Sequence, residues 1–478
     1  MTNQSITTLK YANLQMAAEA LFVPNGQKPE TTFSGNIEES TLTIGNKHAS
    51  VFTTTQATQF AKDWEVVEHI SNTKTGFSGT LFRCKTNDAS RDLKEGELVM
   101  SFRSTEFIDD AVRDNEATNV AEVKAMGFAF GQIADMQNWF EKLNADPKTL
   151  GGKPFMLTGY SLGGNLATAF NAINGGGTQI LGTYTFNGAG VGLVKKGQNL
   201  GDIIDTFDQE RKDSAGSGSK FFKDIQVQTI YEDLRGKIRD GARVTSAHYA
   251  PIVALPYVVV NAEAQMLIKA LDRIKTIQEE FDRIKNTITG PQEVSLSNVE
   301  AMNLGYQVAA LRAGEKTEAL SVASGAVLTA TNGRNTQGYY FGFRDVYGDT
   351  YPSAVANSQY HYGNPTPVFI EDQPLWRGKI IGAAAKASFD AFGVKLLVND
   401  YANNDFGDTH SLVLMVDSLS VQAVLAKLDP DLKPATLNEL LKDASNKMRK
   451  TVNGDKGQAE GDVLENVVNS LGKLLISG

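Results

Sequence analysis

The sequence predicts an α/β fold: a mostly parallel sheet flanked by helices, with a large, mostly helical insertion and a helical C-terminal tail. Three observations carry this. The stretch Pro154 to Ala169 runs from a short apolar segment through Gly159-Tyr160-Ser161-Leu162-Gly163 directly into a helix-forming segment. Strand-like and amphipathic helical patterns alternate from Phe77 to Asn187, the rhythm of strand–helix–strand units. Strand signal then returns only at Gly338, after a long region whose periodicity is helical. The expected organisation is an N-terminal helix and first core segment over residues 1–190, and an insertion over 191–330. A second core segment over 331–430 and a helical extension over 431–478 complete it.

The elements follow in order. Tyr11 to Phe22 reads as an amphipathic helix with Leu14, Ala17, Ala18 and Leu21 on one face, and a polar stretch then runs to about Ser50. Phe60 to Ile70 is predicted as a short helix. Phe77 to Cys84 and Glu97 to Arg103 read as strands around a charged turn. Asn119 to Leu143 has helical spacing, its stripe of Val123, Met126, Phe130, Ile133, Met136, Trp139 and Phe140 expected in the core. The elbow helix is expected to reach about Ile173, and a strand to run from Ile180 to Asn187. Beyond it, Asp208 to Lys223 is polar, and Ala264 to Lys285 is a long amphipathic helix. Strands are expected at Gly338 to Tyr347 and Thr366 to Ile370. Helices are expected at Trp376 to Phe389, Ser411 to Leu428, Pro434 to Lys450 and Asp462 to Leu475.

Composition narrows the function. A net charge of −9, with no block of Lys or Arg, argues against a nucleic-acid partner and against strong attraction to anionic lipid. Any lipid contact would be apolar. The single cysteine, Cys84, excludes an intrachain disulfide and a cysteine zinc site. Met1 to Phe22 has no apolar run with basic flank and small-residue cleavage site, so no standard signal peptide is expected. No run of 18 apolar residues occurs, and no transmembrane helix is expected.

In a strand–turn–helix Gly-x-Ser-x-Gly elbow the serine sits on a strained turn, and glycines two before and two after it let strand and helix pass closely. Ser161 is therefore the candidate nucleophile. A serine hydroxyl needs a histidine to take its proton and a carboxylate to orient that histidine. With the partners in the order Ser…Asp/Glu…His, His48 and His69 are ruled out, leaving His248, His361 and His410. His410 lies in a turn-rich loop, Asn404 to Ser411, that leads into an apolar helix, and is the best candidate base. For the carboxylate, Asp349 follows a strand end and precedes Pro352. Asp345, within the strand, is its rival, and Asp372 and Asp233 are weaker. The apolar segment Tyr249 to Ala262 is a candidate lid, or buried core of the insertion.

Several segments resemble the class 3 lipase branch of the α/β-hydrolases, in particular bacterial lipases and phospholipases A1 exported without a cleaved signal. The similarity runs through Val99 to Thr105, Thr158 to Gly164, Thr183 to Gly192, Gly348-Asp349, Tyr360 to Gly363 and Thr409 to Ser411, about half of the chain. It implies Ser161 as nucleophile, Asp349 as orienting acid and His410 as base, with Thr105 and the backbone N–H of Leu162 forming an oxyanion hole. It also implies a secreted lipid hydrolase that meets its substrate at a membrane or micelle surface; a cytoplasmic location is the alternative. Ser104 stands where the family has glycine, and the gap between Ser161 and Asp349 is longer than in compact members. The glycine–aspartate calcium repeats of type I-exported relatives are absent.

Ester hydrolysis by such a triad requires no cofactor. Asp202, Asp205, Asp208 and the loop from Asp400 to Asp408 offer oxygen ligands for a structural calcium, but lack EF-hand spacing. No partner protein is evident. Two other functions compete: an esterase for small soluble esters, and a non-catalytic interaction module on the same fold.

Overall fold

The computed structural model describes residues 4–23, 31–46, 50–73, 75–105, 122–123, 127–177, 179–216, 294–296, 343–347, 361–370 and 410–441. Asp349, Asp233, Asp372, His48, His248, Tyr249 to Ala262, Ala264 to Lys285, Trp376 to Phe389, Asp400 to Asp408 and Asp462 to Leu475 lie outside the described residues.

The described residues form an eight-stranded mixed sheet whose strands follow chain order. These are β1 (Thr32–Asn36), β2 (Trp64–Ile70), β3 (Gly79–Cys84), β4 (Leu98–Phe102), β5 (Phe155–Tyr160), β6 (Ile180–Phe186), β7 (Phe343–Tyr347) and β8 (Asn364–Pro367). β1 to β4 pair antiparallel, and β4 to β8 pair parallel. The described helices include α1 (Gln4–Ala18), α2 (Glu39–Ile44), α3 (Thr54–Asp63), α4 (Phe130–Ala145), α5 (Leu162–Asn174), α6 (Leu200–Gly216) and α7 (Leu412–Leu428), and residues 434–441 are helical as well, within the helix expected from Pro434.

Alternation along the strands sends successive side chains to opposite faces. Leu81 and Met100 enter one core with Phe130, Ile133, Met136, Leu166, Phe170, Ile203 and Phe207, the inner faces of α4, α5 and α6. Phe82 and Val99 enter the other with Trp64 of β2 and with Leu14, Phe60, Met415 and Leu419, from α1, α3 and α7. All five residues of β4 are buried, as a strand covered on both faces must be. The fold is therefore α/β, with helices on both sides of the sheet. Within the span 191–330, α6 places Ile203, Ile204 and Phe207 in the first core. Within 331–430, β7 and β8 extend the same sheet and α7 packs on α1.

Three expectations are corrected. Phe60 to Ile70 is not one helix: α3 ends at Asp63 and Trp64 opens β2. The register of β2 on β3 shifts between Val66 and Glu68, which breaks the strand's alternation and disguises it. The helix expected over Asn119 to Leu143 is interrupted: Glu122 and Val123 are in π-helical conformation, and the α-helix runs from Phe130. Gly127 stands at φ 83°, and a Cβ there would meet the backbone nitrogen of Gly192 at 2.0 Å, so the chain turns before α4 starts. The stripe itself is core: Val123, Phe130, Ile133, Met136, Trp139 and Phe140 are buried. Finally, α1 starts at Gln4 rather than near Tyr11, because its polar first turns are covered by α7, where Ser5 Oγ donates to Gln422 Oε1. Residues 200–216 form α6, which takes in the start of the polar stretch and residues 214–216 of its Ser214 to Ser219 segment, whose composition reads as a flexible loop.

Candidate active site

Five parallel strands, β4 to β8, place their carboxyl ends along one edge of the sheet, where open α/β sheets bind ligands. Ser161 lies there, immediately after β5 and immediately before α5. Its backbone has φ 52° and ψ −118°, a conformation open to glycine and costly for serine. Three backbone bonds hold it. The Ser161 N–H donates to Phe186 O at 3.1 Å, and Ser161 O accepts from Gly164 N at 3.0 Å and Ala189 N at 2.8 Å. A residue pinned this way projects its Oγ away from the strand–helix junction.

Glycines make that junction possible. A Cβ on Gly159 would come within 2.1 Å of Gly163 O, and one on Gly163 within 2.2 Å of Phe102 O. Gly164 passes Gly188 just as closely, a Cβ there falling 2.4 Å from its Cα. The first turn of α5 thus rests against the end of β4, beside the segment Arg103-Ser104-Thr105. Asn165, fully buried, ties this turn to its neighbours. Its Nδ2 donates to Gly127 O at 3.0 Å and Gly190 O at 2.7 Å, while Oδ1 accepts from Ala129 N at 3.4 Å.

His410 Nε2 lies 2.8 Å from Ser161 Oγ, although 249 residues separate them in the chain. The ring is positioned from two sides. Ser411 caps α7, its hydroxyl accepting from Leu414 N at 3.3 Å, so His410 is fixed one residue ahead of the helix. Tyr160, the residue before Ser161, donates its hydroxyl to His410 O and lies with its ring 5.1 Å from the imidazole. Loss of water around the ring lowers the His410 pKa from 6.5 to about 4, because burial disfavours the charged form. The positive end of α7 acts in the same direction. At neutral pH the imidazole is uncharged and able to accept a proton.

This shift has a kinetic consequence. If His410 is the base, the acid limb of kcat/KM on a soluble short-chain ester should fall with an apparent pKa near 4, well below 6.5. The activity is lost on the low-pH side, where imidazole becomes imidazolium. A midpoint at or above 6.5 would show that burial does not govern the base.

Leu162, buried, is the first residue of α5, and its N–H belongs to the helix's unpaired first turn, where the helix dipole also favours an anion. Thr105, buried, follows β4 by three residues. Of the expected constellation, the structure brings Ser161 and His410 into contact, with Leu162 adjoining in the chain; Gly163 packs on Phe102 and Arg103, the residues that lead toward Thr105. Asp349 lies outside the described residues, two residues beyond the end of β7 in the sequence; Asp345 pairs with Thr185 inside β7. His69 is buried in β2, its Nδ1 2.8 Å from Thr80 Oγ1, and its pKa is pushed down to about 3 by burial and by the Arg103 charge.

Tyr160 and Asn165 were not singled out by sequence reasoning; both sit inside the elbow motif, but only tertiary contacts reveal their use. Asp202 and Asp205 lie on α6, and Asp208 Oδ2 accepts from Asn138 and pairs with Lys212 at 2.5 Å. Among the described residues no group of three His, Cys, Asp or Glu side chains could hold a metal ion. No described helix is long and apolar enough to cross a membrane. No protein-family model matches the chain, and no curated protein is similar enough to count as a relative.

Proposed function

We propose that this chain is a serine carboxylester hydrolase of the α/β-hydrolase type that acts on lipids, as a phospholipase A1 or triacylglycerol lipase. The observation that carries the chemistry is the hydrogen-bonding distance between His410 Nε2 and the hydroxyl of a serine held at positive φ. Strain of this kind persists only where surrounding structure imposes it, and a paired histidine is what a serine nucleophile requires. The lipid substrate class rests on the similarity to class 3 lipases along Val99 to Thr105, Thr158 to Gly164 and Thr183 to Gly192.

The proposed steps start from the Ser161–His410 pair. His410 Nε2 takes the Ser161 proton as Oγ bonds to the ester carbonyl carbon. The carbonyl oxygen becomes an oxyanion, held by the Leu162 N–H and by Thr105. The carbon–oxygen ester bond breaks, and His410 returns the proton to the departing alcohol. Water, deprotonated by His410, then attacks the acyl-enzyme and releases the acid and Ser161. Asp349 is proposed to orient His410 and stabilise its imidazolium. Regions 191–330 and 431–478 are proposed as an insertion carrying the lid Tyr249 to Ala262 and a C-terminal extension. Export without a cleaved signal belongs to the same proposal.

Substrate class is tested by comparing kcat/KM for a long-chain triacylglycerol, a diacyl-phospholipid and a short-chain soluble ester. The lipid reading expects the aggregated substrates to be favoured by at least about tenfold, a difference of about 1.4 kcal/mol in transition-state binding. A preference for the soluble ester would assign the same triad to a small-ester hydrolase. Hydrolysis of none would favour an interaction module.

A further inference from the structure

From the hydrogen bonds beneath the end of β4, we infer that Glu19, on the chain segment following α1, is a positioning residue that sets the oxyanion-binding segment Arg103-Ser104-Thr105. The inference rests on the hydrolase reading and deepens it. Glu19 is buried, and its carboxylate faces Ser104 squarely. Oε1 and Oε2 accept from Ser104 N at 3.1 and 3.3 Å, and Oε2 accepts from Ser104 Oγ at 2.5 Å. Gln15, one helical turn earlier, completes the clamp. Its Nε2 donates to Glu19 Oε1 at 2.8 Å and to Phe102 O at 2.9 Å, and its Oε1 accepts from Thr158 Oγ1 at 2.9 Å. Gln15 thus holds the last residue of β4 and the body of β5, while Glu19 holds the residue before Thr105.

Two features separate this arrangement from ordinary core packing. A buried carboxylate costs several kcal/mol in lost solvation, so it persists where its acceptor capacity is used. Here every named donor is on Ser104 or Gln15; burial raises the Glu19 pKa, and the Ser104 hydroxyl and the nearby Arg103 charge oppose that rise. Second, Ser104 offers Glu19 two donors, its backbone N–H and its hydroxyl, and both are used. A serine lacks glycine's conformational freedom but supplies a side-chain anchor. With both its N–H and Oγ–H committed to one carboxylate, the peptide leading into Thr105 has one orientation. Glu19 does not touch substrate; its hydrogen bonds act through where Thr105 lies.

The test is a double-mutant cycle of Glu19→Gln and Thr105→Ala, read as kcat and KM on a soluble short-chain ester. Glutamine keeps the shape but turns an amide N–H₂ toward the Ser104 backbone N–H or Gln15 Nε2, groups that can only donate. Glu19→Gln should lower kcat by about 10- to 100-fold with KM within about twofold, because only transition-state binding is lost. In the Thr105→Ala background the same substitution should cost less than about threefold, since the group it positions is gone. Full additivity, or a rise in KM with kcat unchanged, would overturn the inference. If Glu19→Gln does not fold, Ser104→Ala, which removes only the hydroxyl donor, enters the same cycle with the same criteria. A parent protein that neither hydrolyses esters nor reacts at Ser161 with a fluorophosphonate refutes the hydrolase reading and this inference with it. An active parent with additive variants refutes the inference alone.

Discussion

Replacing Ser161 with alanine is expected to lower kcat by about 10⁶-fold, the scale seen when a triad serine is removed, while thermal unfolding stays cooperative. His410→Ala should cost about as much, and the double variant little more, because nucleophile and base act as one unit 2.8 Å apart. A third substitution separates catalysis from strain. Ser161→Gly should be equally inactive yet no less stable than the parent. Relief of the φ 52°, ψ −118° backbone is worth about 1–3 kcal/mol, offset by about 0.5–1 kcal/mol from glycine's freer unfolded chain. The expected net is about 1 kcal/mol of stabilisation, measured as a higher denaturant midpoint at unchanged slope. Such a result would show that the fold holds an unfavourable serine in place for its chemistry. A destabilised glycine variant would mean that the serine side chain supports the turn structurally.

Gly163→Ala should have the largest effect on the fold. The added Cβ would lie 2.2 Å from Phe102 O and 3.0 Å from Arg103 O, both backbone atoms that cannot rotate away. Either the first turn of α5 lifts off the end of β4 or β4 itself moves, and both elements are buried. Overpacking of this kind costs about 1–3 kcal/mol when side chains can adjust, and more when only backbone can. We expect about 3 kcal/mol or more, seen in urea unfolding. Any folded fraction should lose activity beyond its loss of stability, because the displaced turn carries Leu162 and abuts the Thr105 segment. Wild-type stability and turnover would contradict the close passage of α5 and β4.

Much of this architecture was legible in the sequence where apolar pattern and turn chemistry agree. The strands β3 to β6, the elbow, α5 and α7 all lie where their patterns place them. His410 could be reached by elimination, since a base after Ser161 had to be one of three histidines. Misreadings fall where tertiary contact overrides pattern. The bulge in β2 hid a strand, and Gly127 cut a helix whose stripe looked continuous. The first turns of α1 are polar by composition and buried only because α7 arrives from the far end of the chain. Tyr160 looked like the interchangeable residue of a Gly-x-Ser-x-Gly motif, but its hydroxyl anchors His410. The best missed signal is the pair Gln15 and Glu19: two polar residues four apart, within an apolar helical segment, that both prove buried.

The most direct measurement is covalent labelling with a fluorophosphonate, mapped by peptide mass spectrometry. One adduct per chain is expected, on Ser161 within the peptide that contains Gly159 to Gly163. It should be absent from Ser161→Ala and slowed by about 10³-fold or more in His410→Ala, where the serine loses its base. An adduct on another residue, or a labelling rate indifferent to His410, would contradict the pairing of Ser161 and His410 as nucleophile and base.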